Sequence, residues 1–364
     1  MSRDRAAAEI ERQAEACASL GSPLYAALLG HAAQDVRDGG PCAEALAGYE
    51  DAPRADAVAL RLLGGVHALV LTGRAPALAA HYPSAGGAFD PVRPDAAWPA
   101  FRAAVGSETA RVREWMTGPP QTNEVGRANL LIAGLLRAVA ATPLPVRLFE
   151  LGSSAGLNLR ADHFRYTSED FSWGPPDSPV VLEHAWTGTP ARPAAATEGH
   201  PPLTVVERRG CDVHPVDPLS PEGALALRAY VWPDQTERAA RLDGALRLAA
   251  AVPADVEAVG AADFLAGIRP EPGTLTVVWH SVMRQYVPAA EWTRVERELE
   301  RLAAAGPEFA HISFEPPRGD GPRFLLTVRS GTDAPVAVAE APPHGLPARG
   351  LEGLNPAAGN PGPP

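Results

Sequence analysis

Residue types and spacing argue most directly for chemistry in the stretch Arg147 to Arg160, RLFELGSSAGLNLR. An apolar run (Leu148, Phe149, Leu151) carries one acid, Glu150, and breaks into Gly152-Ser153-Ser154-Ala155-Gly156. Leu157, Asn158 and Leu159 then start a helix. Strand, tight glycine turn and helix start form a geometry that aims several backbone N–H groups into one crevice. The glycines allow close approach of a ligand to the backbone, and Glu150 supplies negative charge for a cationic group. Glu150, Gly152, Ser153, Ser154, Gly156 and Asn158 are therefore the first candidates for holding a cofactor.

The same residues admit a hydrolytic reading. Gly152 to Gly156 satisfies G-x-S-x-G, with Ser154 as nucleophile and Asp263 with His280, or His311, following in the required order. The context argues against it. A nucleophile elbow follows several strands and a loop that supplies an oxyanion donor, whereas the preceding region here is helical and has no HGG-type loop. A nicotinamide site is weaker still, because G-x-G-x-x-G is not met.

The elements that would position these residues divide at Pro143 and Pro145. Residues 1–142 are expected to form an all-helical domain. Ser22 and Pro23 suit a helix start, Gly73 suits a helix end, and Thr122 or Asn123 suits the cap of a helix through Leu130, Leu135 and Val139. Residues 143–343 read as an α/β domain with a mostly parallel sheet of about seven strands. Strands are expected near 147–152, 203–208, 255–260, 274–280, 309–315, 323–329 and 335–340, and helices at 156–163, 236–251 and 289–305. Residues 167–202, rich in Pro, Gly, Ala and Ser, look like a long insertion, read as a flap. The Pro/Gly-rich tail 344–364 is expected to be disordered.

Composition narrows the partners. A chain of 364 residues with 46% hydrophobic and 21% charged residues is that of a soluble globular protein. Its net charge of −11 speaks against a nucleic-acid backbone or an anionic membrane. Cys17, Cys42 and Cys211 are too scattered for a disulfide framework or a zinc site, and no metal is implied. The charged start MSRDRAAAEIERQAEA lacks the apolar core of a signal peptide, so a reduced, cytoplasmic protein acting on a small molecule is the expectation.

Glu150-x-Gly152-x-Ser154-x-Gly156 resembles the E/D-x-G-x-G-x-G turn of Rossmann-like methyltransferases, with Ser154 in place of the middle glycine. Alternating strands and helices followed by a final strand pair resemble the same family's plan. The resemblance implies S-adenosylmethionine as cofactor. It also implies an acid ending the second strand on the ribose, which matches Asp212 with Glu207 second, and an acid after the third strand near the adenine, which matches Asp263. The fourth strand would end at the substrate, at His280 and Ser281. His280 is the candidate base, with Glu124 and Asp234 in reserve. Asn123, Arg127 and Trp232 are candidate substrate contacts, although QTNEVGR also reads as a helix cap and YVWPDQ as an aromatic anchor with a capping acid.

A second resemblance covers roughly residues 10–345. The blocks GSPLYAALL, LRLLGGVHALVLTGRAPALAAHYPS, QTNEVGR, LFELGSSAGLNLR, RRGCD, YVWPDQ and WHSVMRQY are similar to the bacterial domain-of-unknown-function family numbered 2332. It implies the same helical-plus-α/β architecture and supplies no reaction.

Overall fold

The structure, a computed structural model, describes residues 2–53, 56–194, 196, 202–317 and 323–351. The chain begins with α1 (Ser2–Ser19), α2 (Pro23–Asp38), α3 (Pro41–Ala45), α4 (Val58–Leu71), α5 (Pro76–Ala79), α6 (Trp98–Ser107) and α7 (Thr109–Glu114). Local chemistry explains their ends. Ser22 Oγ accepts from Tyr25 N, Pro23 occupies the first turn of α2, and Gly39 closes it in the left-handed region at φ 73°. Gly73 likewise follows α4 at φ 73°, and Arg74 N–H reaches back to Leu69 O at 2.8 Å.

Next come α8 (Ala128–Ala141), β1 (Val146–Leu151), β2 (Arg165–Ser168), β3 (Phe171–Trp173), β4 (Val181–Leu182), β5 (Trp186–Thr187) and β6 (Val205–Asp212). Then follow α9 (Pro221–Ala229), α10 (Thr236–Ala251), β7 (Asp255–Ala258), α11 (Ala261–Gly267), β8 (Leu275–Ser281) and α12 (Ala289–Ala303). The chain finishes with β9 (Phe309–Glu315), β10 (Phe324–Ser330), β11 (Val336–Ala341) and β12 (Ala348–Gly350).

Contacts gather the chain into two compact units. The first runs to Thr122 and takes up Val216–Leu242; the second holds Asn123–Pro215 and the chain from Asp243 onward. The first unit is helical, with a core of Leu24, Tyr25, Leu28, Leu62, Leu63, Phe101 and Trp232. Helix α9 follows β6, where a crossover helix would lie on the sheet, yet it packs on α4. A Cβ at Gly64 of α4 would sit 2.7 Å from Tyr230 Cε1, so the bare glycine lets that ring in.

The second unit is α/β. Among the described residues its sheet has nine strands, in the order β5-β12-β11-β10-β9-β8-β1-β6-β7. Strands β7, β6, β1, β8 and β9 are mutually parallel, while β10, β11 and β12 follow in antiparallel pairs. The chain leaves β1 toward β6 and β7 and returns on the other side of β1 at β8. The carboxyl ends of β1 and β8 therefore flank a topological switch point, where open α/β sheets hold ligands. Phe149, Leu151, Val278 and Phe309 pack on one face against Phe264, Leu265, Trp292, Val295 and Leu299 of α11 and α12.

Helix α8 covers β8, β9 and β10. The turn-and-helix reading placed it with the N-terminal helices, but it belongs to the second unit. Leu130, Leu131, Ile132, Leu135, Leu136 and Val139 are all buried, an all-round apolar helix suited to lying on a sheet.

Two further expectations change. The described part of 167–202 is not a bare flap: β2, β3 and β4 form a second, three-stranded sheet, with Tyr166, Phe171, Val180 and Leu182 buried, and β5 joins the large sheet beside β12; residues 195 and 197–201 lie outside the described residues. The tail reading also fails for its first part, since β12 pairs with β11; residues 352–364 lie outside the described residues.

Close approach of α8 to the sheet yields a direct test. A Cβ at Gly134 would lie 2.6 Å from Ile312 Cγ2, a branched group with little freedom to retreat. Gly134→Ala should destabilise the protein by about 1–3 kcal/mol in urea unfolding, the usual cost of overpacking a core. An unchanged midpoint would show that α8 is not seated there.

Candidate functional site

Strand β1 ends with Glu150 and Leu151 and then turns sharply. Gly152, Ser154 and Gly156 take φ of 64°, 52° and 65°. This left-handed region is easy for the glycines and strained for serine. The space is also reserved: a Cβ at Gly156 would meet Val256 Cγ2 at 2.7 Å, and one at Gly152 would meet Met283 Cβ at 3.1 Å.

Glu150 is 3% exposed. Its Oε1 accepts a hydrogen bond from Trp279 Nε1 at 3.1 Å, and its Oε2 is buried with no partner among the described residues. The register explains the pairing. Glu150 lies opposite Trp279 and Leu151 opposite His280, so the pleat puts Glu150, Trp279 and Ser281 on one face and His280 on the other. Burial pushes the Glu150 carboxyl up to about 8, against the opposing pull of the Trp279 hydrogen bond and the Arg160 and Arg127 guanidinium groups. Arg160 is itself held down, to about 10, chiefly by burial.

The segment after the turn was expected to be an α-helix over 156–163. Residues Leu157–His163 instead form a 3₁₀ helix, kinked at Arg160. The Gly156 carbonyl is taken by Leu159 N–H at 3.2 Å and by Arg160 Nη1 at 2.8 Å, and Arg160 Nε holds Val252 O at 2.7 Å. Side-chain competition for that carbonyl keeps the helix short.

Four N–H groups of the turn and the helix start, those of Ser153, Ser154, Gly156 and Leu157, are already bonded within the protein. Ser153 N donates to Cys211 O at 3.0 Å and Gly156 N to Ser153 O at 2.7 Å. Ser154 N donates to Asp212 Oδ2 at 3.0 Å, and Leu157 N to Asn123 Oδ1 at 2.8 Å. An anion cradle needs such groups free, so these four are not offered to a phosphate. Beside them stand acceptors: the Glu150 carboxyl group and Asn158 Oδ1, which is also buried with no partner among the described residues.

Asp212 is the last residue of β6, as expected, and its Oδ1 accepts from His214 N at 2.9 Å. Glu207 lies mid-strand and pairs with Arg147. The QTNEVGR segment is drawn to the turn as a clamp. Besides Asn123, Glu124 O accepts from Asn158 Nδ2 at 3.2 Å. Glu124 Oε1 accepts from Gly126 N at 3.0 Å, its Oε2 meets His344 Nδ1 at 3.1 Å, and Arg127 Nε donates to Pro343 O at 3.0 Å.

His280, at the end of β8, is 2% exposed. Its Nδ1 lies 2.8 Å from Glu315 Oε1, and its Nε2 is buried with no partner among the described residues. His311 packs 5.1 Å away, centroid to centroid, and burial holds its pKa well below the ordinary histidine value. Since neither ring's Nε2 has a partner, neither histidine meets Ser154 Oγ through that nitrogen. The Ser-His-Asp set is not assembled.

Other candidates serve the scaffold. Asp234 accepts from Ser22 Oγ at 2.7 Å and Leu24 N at 3.1 Å, capping α2 and not its own helix. Trp232 is in the first unit's core, its ring 6.2 Å from Tyr25. The Asp263 side chain is 57% exposed and pairs with Arg294. Sequence reasoning missed Trp279, Glu315, Arg160 and His344. Only Glu315 carried a signal, being an acid at the end of an apolar strand, as Glu150 is. Among the described residues no cluster of His, Cys, Asp or Glu could hold a metal ion, and no helix is long and apolar enough to cross a membrane.

The Glu150 environment predicts a pH-dependent stability. A carboxyl whose pKa is raised on folding favours the folded state below its unfolded value near 4.5 and loses that contribution as pH rises through about 8. Glu150→Gln, which keeps an acceptor for Trp279, should raise the melting temperature by a few degrees near pH 9 and change it little near pH 5. Equal shifts at both pH values would show that Glu150 is not held neutral.

The chain matches no curated protein and no solved structure. A family model does match, over residues 7–349. The chain, with its helical unit and its sheet carrying a buried acid at the switch point, belongs to the family described as "Uncharacterized protein conserved in bacteria (DUF2332)".

Proposed function

We propose that the chain is an S-adenosylmethionine-dependent methyltransferase acting on an oxygen or nitrogen of a small polar substrate. The observation that carries this reading is Glu150: a buried carboxyl group with one oxygen that has no partner among the described residues, at the carboxyl end of the central strand, beside a turn in which the N–H groups of Ser153, Ser154, Gly156 and Leu157 are already bonded. Such a site selects a cationic, hydrogen-bond-donating ligand over a phosphate. The parallel order β7-β6-β1-β8-β9 and the antiparallel pair β10 and β11 fit the methyltransferase plan.

When bound, the cofactor would supply an electrophilic methyl group on a sulfonium. Glu150 would hold its ammonium end and Asp212 its ribose hydroxyls, with Gly152 allowing close approach. Asp263, spent on Arg294 at the surface, is left out of this set. His280, the base expected from the sequence, lies on the opposite face of the sheet against Trp292 and His311, so it is left out of this set as well. The protein's own contribution is alignment and desolvation of the nucleophile.

A serine hydrolase has one observation on its side, the strained φ of 52° at Ser154. Against it, neither His280 nor His311 engages a partner through Nε2 among the described residues, and Asp263 is spent on Arg294.

Titration calorimetry with S-adenosylmethionine and S-adenosylhomocysteine tests the reading. Because Glu150 must give up its proton to meet a cation, affinity should rise with pH from about 5.5 to about 7.5, where the ligand amine keeps its charge, by up to roughly tenfold per unit. Glu150→Gln should weaken binding and flatten that dependence, while Ser154→Ala should leave binding intact. Absence of binding at millimolar ligand would overturn the proposal.

A further inference from the structure

The segment after β8 carries an arrangement that the cofactor reading does not use. Val282 takes φ 53°, a left-handed conformation that a β-branched residue strongly resists. It persists because its neighbours are pinned. Glu315 Oε1 accepts from Met283 N at 3.1 Å and Arg284 N at 3.3 Å as well as from His280 Nδ1. Val282 N donates to Phe314 O at 2.9 Å. Held this way, Met283 lies on Gly152: a Cβ there would be 3.1 Å from Met283 Cβ and 3.3 Å from its Cε. The turn ends at Tyr286, 60% exposed.

We propose that residues 282–286 form a cover over Gly152, latched by Glu315 and strained at Val282, which must lift before a ligand reaches the glycine turn. The cover rests on the cofactor reading only for the identity of that ligand. Backbone strain makes the closed state easy to leave, and the charge-assisted hydrogen bonds to one carboxylate oxygen hold it until then. Glu315 is thus a positioning residue that acts on the site through Met283.

Hydrogen exchange by NMR on the full chain separates latch from strain. In Glu315→Gln the Met283 and Arg284 amides should exchange at least about tenfold faster, with the Val277 and Val278 amides in the middle of β8 unchanged. In Val282→Gly, which removes the strain, the same two amides should exchange several-fold slower. Unaltered exchange in Glu315→Gln, equal acceleration throughout β8, or faster exchange in Val282→Gly would each overturn the cover. Titration with S-adenosylhomocysteine supplies the second arm: Met283→Ala should bind several-fold tighter than wild type, and equal affinities would also overturn it. If the exchange behaves as expected but neither protein binds the ligand, the cover stands and the cofactor reading falls.

Discussion

A carboxylate buried at the end of a central parallel strand constrains everything around it. Glu150 has no room for bulk water, so its charge must be removed by a proton, matched by a donor, or matched by a ligand. The fold provides one donor, Trp279 Nε1, and two guanidinium groups nearby, and leaves one oxygen unpartnered. Full pairing would make a structural ion pair. Here burial outweighs the partial pairing and raises the pKa of the carboxyl group.

The surrounding elements serve that arrangement. The glycine turn folds the N–H groups of Ser153, Ser154 and Leu157 onto Cys211, Asp212 and Asn123. Asn123 and Glu124 clamp the segment before α8 to the 3₁₀ helix, and Arg127 and His344 fasten the segment before β12 to that clamp. A stretch near the carboxyl end of the described chain therefore stabilises a turn almost two hundred residues earlier, roughly as the closure of a long loop permits.

Alternation along the strands then separates the polar residues by face. Glu150 shares its face with Trp279, whereas His280 turns toward Trp292 and His311, beneath α12. One residue of register decides this. A reading that treats the ends of β1 and β8 as a single cluster misses it, because adjacency in sequence places side chains on opposite sides of a sheet.

What the amino-acid sequence determined is the inventory of elements and the position of the turn. Apolar periods located β1, β6 to β11, α10 and α12 within a few residues, since those patterns reflect burial that any packed sheet requires. The short strands β4, β5 and β12 carried no such period, being set by partners distant in the chain. Gly152 and Gly156 announced a tight turn, and Asp212 the end of β6, because backbone conformation and strand ends are local properties. Tertiary structure alone decided that α8 joins the sheet, that Asp234 caps α2, and that Trp279 faces Glu150 while Glu315 faces His280. Each of those outcomes depends on register and on contacts between distant segments, and a pairwise contact leaves no local trace in one sequence.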